Sequence, residues 1–70
     1  MTGRALVLAA AREHGWDVNE KAWAAWFTRG PVRAWCDFSR SGAVIYAWNG
    51  SAHVRGARSA QKLADTLAAA

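Results

Sequence analysis

The chain has one cysteine, one proline and one tyrosine in 70 residues. A lone Cys36 excludes an intrachain disulfide. The two histidines, His14 and His53, lie far apart, and no zinc-ligand spacing, Walker pattern or glycine-rich phosphate loop occurs. No metal or cofactor is therefore expected. The longest apolar run, Ala5 to Ala11, falls well short of the ~20 residues of a membrane-spanning helix. With Arg4 before it, that run has the make-up of a signal-peptide core at its minimum length. The reading preferred is a soluble, cytoplasmic chain with no membrane partner.

Acidic residues are also scarce, five against nine lysines and arginines, for a net charge of +4. Residues 1–28 carry Arg4, Arg12 and Lys21 against Glu13, Asp17 and Glu20, which balance. Residues 29–70 carry Arg29, Arg33, Arg40, Arg55, Arg58 and Lys62 against Asp37 and Asp65, and so hold the whole excess. Such asymmetry points to a polyanionic partner. Seven arginines to two lysines, with abundant alanine, also match what a GC-rich genome encodes for any function.

Tryptophan is the residue in surplus. Five indoles, at 16, 23, 26, 35 and 48, are many for a single domain spanning residues 1–70. A chain this short builds a modest core, and large aromatic side chains help it do so. At least one indole is expected at a surface that meets a partner.

The organising stretch is Pro31 to Trp48, read as two strands around a Ser39–Gly42 turn. Val32, Ala34, Cys36 and Phe38 alternate with Arg33, Trp35 and Asp37, the period of a half-buried strand. The second strand is β-branched and aromatic. Its inward set is either Val44, Tyr46 and Trp48 or Ile45 and Ala47, and bulk favours the first. Asn49-Gly50 signals another reversal, followed by a third strand over Ser51 to Arg55 with His53 and Arg55 outward.

Helical spacing predicts a first helix over Arg4–His14, N-capped by Thr2, with Leu8 off its apolar face, either exposed or meeting a second subunit. A second helix is predicted over Val18–Thr28. Asp17 and Glu20 form an acidic capping box, Arg29-Gly30-Pro31 is the stop, and Ala22, Trp23, Trp26 and Phe27 are a core stripe. Trp16 would staple the turn between these helices. Ser59 caps a last helix, Ala60 to about Ala69, with Leu63, Ala64 and Leu67 inward. The expected fold is α+β, a three-stranded antiparallel meander with helices on one face, in the order α-α-β-β-β-α.

No nucleophile with a base, carboxylate pair or metal cluster is assembled by these elements, so no enzyme is expected. Cys36 alternates with core residues and reads as a small buried hydrophobe. The candidate nucleic-acid-binding surface is the outward sheet face, with Arg33, Trp35, His53 and Arg55, extended by Arg40 at the hairpin tip and Arg58 and Lys62 at the start of the last helix. Arginines neutralise phosphates and an exposed indole stacks or wedges. The alternative is a protein-interaction module, a homo-oligomer or an inhibitor of a bacterial host protein, because interfaces favour the same residue types.

Three resemblances bear on this. The segment from Phe27 to Val44 pairs an aromatic, a basic residue and glycine with an alternating strand ending Phe38-Ser39-Arg40-Ser41-Gly42. It resembles a pattern in small actinobacteriophage proteins, which implies a phage accessory protein made in the bacterial host cytoplasm and brings no known activity. A helix, three strands and a helix is also similar to the order of the double-stranded RNA-binding domain. In that family the last helix opens with a basic cluster on phosphates. Arg58-Ser59-Ala60-Gln61-Lys62 stands there, without the family's Lys-Lys-x-x-Lys pattern. Three strands before a helix also look like integrase arm-binding domains, which implies Arg33, Trp35 and Arg55 against the major groove.

Overall fold

The computed structural model describes residues 1–56 and 58–69. Its elements are α1 (Gly3–Glu13), β1 (Asp17–Glu20), β2 (Ala24–Arg29), β3 (Val32–Phe38), β4 (Val44–Trp48), β5 (His53–Val54) and α2 (Ser59–Ala69). The fold is α+β, and the five strands form one antiparallel sheet in sequence order. Both helices pack on one face of the sheet and against each other. They run side by side in the same direction. Gly3 lies against Ala60 at one end, and the Trp16 Nε1–H donates to the Leu67 carbonyl at the other, 2.9 Å away.

The two outer elements are those expected. Thr2 caps α1, its Oγ1 accepting from the Ala5 N–H at 3.1 Å. In α2, Leu63, Ala64 and Leu67 are buried. Ser59 at its start is buried too, its hydroxyl donating to the Gly56 carbonyl at 2.7 Å. The β3–β4 hairpin also stands as read. Gly42, at φ +85°, closes the Ser39–Ala43 loop, where the Ser39 N–H donates to the Ala43 carbonyl.

The segment read as a second helix is instead the β1–β2 hairpin, which gives five strands where three were expected and the order α-β-β-β-β-β-α. Two features explain the change. Ala25 and Phe27 are buried while Trp26 between them is 45% exposed, so the segment follows a period of two. Gly30-Pro31 serves as a two-residue hairpin loop between paired Arg29 and Val32. Gly30 takes φ +59° in the first central position, as a type II′ turn requires. β2 then satisfies the edge of β3, which a helix there would have left open.

Other expectations shift with it. Of the predicted core stripe only Phe27 is buried; Trp23 is 57% exposed in the β1–β2 turn. Leu8 belongs to the core and is not free for a second subunit. Trp16 is no staple between helices. It is a buried indole that seals the C-terminal end of α2. The third predicted strand shrinks to His53–Val54, with Ala52 exposed in the turn before it.

β4 resolves into neither of its two expected sets. Phe38 pairs with Val44 but Asp37 pairs with Tyr46, so Ile45 is an extra residue in a β-bulge. The bulge shifts the alternation by one. Val44 and Ala47 turn toward the helices, and Tyr46 and Trp48 turn outward. Ile45 itself is 60% exposed.

Candidate binding face

The helix-side face of the sheet is narrow in side-chain volume. Its central row is Ala25, Cys36 and Ala47, paired in register with Val54 at the end. Small residues let both helices sit close, and Phe27, Phe38, Val7, Leu63 and Leu67 fill the space around them. Cys36 is fully buried there, and burial pushes its thiol up to about 12, with the Asp37 charge adding to the effect. It remains a neutral thiol at any physiological pH.

No element among the described residues covers the opposite face. Its central row, read straight across the strands, is Asn19, Trp26, Trp35, Trp48 and His53. Three indoles thus stand abreast on β2, β3 and β4. Directly opposed residues have Cβ atoms about 5 Å apart, so the row presents one aromatic surface. Trp35 stacks on Tyr46 with ring centroids 5.5 Å apart. His53 meets Tyr46 at 4.9 Å and Trp48 edge-on at 5.1 Å. The Arg55 guanidinium lies over the Tyr46 ring at 5.4 Å, a cation–π contact that holds it against the face.

Two flanking rows carry the charge. On one side stand Asp17, Thr28 and Arg33; on the other, Ala24, Asp37 and Tyr46, with Arg55 beside Tyr46. Arg33 and Arg55 are therefore matched by Asp17 and Asp37, and the face is close to neutral.

Of the seven residues assigned from the sequence, the fold brings Trp35, His53 and Arg55 into one cluster. Arg33 is on the same face but apart from Arg55, four residues along the strands and two strands across. That is roughly 16 Å at ordinary sheet spacings. Arg40 sits in the β3–β4 loop, exposed. Arg58 precedes α2 and Lys62 lies in its first turn, where the Lys62 ammonium donates to the Arg55 carbonyl at 3.4 Å. These three cations stand outside the five strands that make the outer face. The basic excess, expected on that face, lies around the loops and helices.

Sequence reasoning missed Trp26, and it favoured an inward Tyr46 and Trp48 over the alternative that sets them outside with Trp35. A signal was present in the dipeptides Ala25-Trp26, Ala34-Trp35 and Ala47-Trp48, one small and one large residue in each central strand. A strand with alanine on one side and tryptophan on the other separates a close-packed face from an aromatic one.

One further polar cluster is structural. Arg4 on α1 donates to the Glu20 carboxylate at 2.7 and 3.2 Å and to the Ala22 carbonyl at 2.6 Å. Arg12 reaches the other Glu20 oxygen at 3.2 Å. The Arg4 hydrogen bond, with Arg12 assisting, holds the Glu20 carboxyl below its ordinary range against the opposing effect of desolvation. This clasp fastens α1 to the β1–β2 turn. Among the described residues no cluster of three or more His, Cys, Asp and Glu could hold a metal ion. No helix among them is long and apolar enough to cross a membrane. The chain matches no family model, no curated protein and no solved structure.

Proposed function

We propose that this chain is a non-catalytic docking protein whose outer sheet face binds the surface of another protein. The observation that carries the reading is the row Trp26–Trp35–Trp48, with Trp26 exposed and Trp35 and Trp48 half-buried, on a face whose charges balance. Solvent-accessible indoles ringed by arginine and carboxylate have the composition of an interface centre, where tryptophan, tyrosine and arginine dominate binding energy. The one thiol supports the non-catalytic reading, being buried and neutral.

Nucleic-acid binding is the second reading, favoured by Arg33 and Arg55 on either side of the indoles, which can stack on unpaired bases. Charge favours the first. A phosphate-tracking surface needs a net positive field, and here Asp17 and Asp37 cancel the arginines.

Tryptophan fluorescence tests the choice, with single-stranded DNA, duplex DNA and duplex RNA titrated at about 50 and about 200 mM salt. The expected result is no salt-sensitive response to any of them. A response that Arg33→Ala and Arg55→Ala abolish would overturn the protein-docking reading in favour of nucleic acid.

A further inference from the structure

We infer that the partner of the outer face is a second copy of this chain, docked sheet to sheet about a two-fold axis that runs along the tryptophan row. The inference rests on the docking reading above and names its occupant.

Arg33 and Asp37 lie on the same strand, on either side of Trp35, in the two flanking rows. Four residues of strand separate them by about 13 Å, too far to pair within one chain. Among the described residues neither forms an ion pair.

Two sheets related by a two-fold axis lying between them can be set in two simple ways. With the axis along β3, Arg33 faces the partner's Arg33 and Asp37 the partner's Asp37, and like charges oppose. With the axis along the tryptophan row, the two flanking rows exchange. Arg33 then faces the partner's Asp37, Asp37 faces the partner's Arg33, and the three indoles of each copy meet at the centre. The face is self-complementary in this second arrangement alone, as an isologous interface must be.

Size agrees. Five strands at about 4.8 Å by roughly five residues at about 3.3 Å give a face of about 400 Å² in projection. With the relief of the indoles, two such faces bury close to the roughly 1,000 Å² that marks a specific interface. Aligned face-to-face packing of twisted sheets is also a common arrangement.

Sedimentation equilibrium of the full chain, from about 1 μM to about 1 mM, tests the inference. The wild-type mass should rise from 7.6 kDa to twice that. Arg33→Asp and Asp37→Arg should each weaken association by about tenfold or more, and the double swap should restore it to within about threefold of wild type. Trp35→Ser should abolish it, and circular dichroism should show every variant folded.

A wild type that stays monomeric to about 1 mM overturns the proposal, as does a dimer indifferent to all three charge variants. A double swap weaker than either single overturns it too, because the charges then do not meet. If the chain is monomeric yet captures a lysate protein that Trp35→Ser loses, the self-partner falls and the docking reading stands. A monomer with a salt-sensitive nucleic-acid response removes both.

Discussion

The two faces of this sheet are made by the same strands and differ residue by residue. Toward the helices the central row is Ala25, Cys36 and Ala47; away from them it is Trp26, Trp35 and Trp48. The strands place their small residues where backbones must approach and their largest on the face that neither helix covers. A stability-driven arrangement would do the reverse, because burying an indole removes more apolar area from water than burying alanine. The comparison teaches that these three tryptophans, unlike the buried Trp16, were not placed to build the core. The core is made by Phe27, Leu63, Leu67 and Val7 over a floor of small side chains.

The largest effect should come from setting neighbouring residues of β2 against each other. Phe27→Ala removes the largest fully buried side chain and should cost about 3–5 kcal/mol in urea unfolding. Trp26→Ala, one residue away and 45% exposed, should stay within about 1 kcal/mol at concentrations where the chain is monomeric. Equal losses would show that the outer face is folded against something in the isolated chain.

Next comes the floor under the helices. Ala47→Leu adds volume where there is none and should destabilise by about 1–3 kcal/mol, while Trp48→Leu on the other face should change thermal stability far less. A tolerated Ala47→Leu would mean that the helices are not closely seated.

Cys36 sharpens the comparison by chemistry. Its thiol should resist a disulfide reagent in the folded chain and react once urea is added. Its folded pKa lies above its ordinary value of 9.0, near 12, so the thiol's contribution to stability is present below pH 9 and is lost as pH rises toward 12.

The smallest effect belongs to Glu20 at the sheet edge. Its carboxyl is held below the ordinary value of 4.5, so its stabilising contribution is full above that pH and fades as pH falls through the lowered value. Thermal melts of wild type and Glu20→Gln should therefore differ at neutral pH and converge in acid. A constant difference would mean that Glu20 acts by shape alone.

Much of the fold was legible in residues 31–48 and at the chain's two helices. There, alternation, caps and turn residues all point the same way. Between Asp17 and Arg29 they conflict. Ala22, Trp23, Trp26 and Phe27 have helical spacing, whereas Ala25 and Phe27 against Trp26 and Thr28 have strand spacing. Gly30-Pro31 punctuates either. What decides is tertiary, the open edge of β3, and no local window contains it. The candidate site was half legible for a related reason. Trp35, His53 and Arg55 could be placed by alternation, but the Ile45 bulge that turns Tyr46 and Trp48 outward has no glycine or proline to announce it.

The helix pair has a consequence for how the molecule comes into being. Each strand of the meander pairs with its immediate neighbour in sequence, so the sheet can zip up from local hairpins as the chain is made. Its inner face cannot close that way. α1 waits through all five strands for α2, which is needed to cover Val54, Ala47 and the end marked by Trp16. Until Leu63 and Leu67 arrive, a nascent chain carries apolar surface on both sides of one sheet. That interval, and not the finished fold, is when the molecule is most exposed to aggregation and proteolysis.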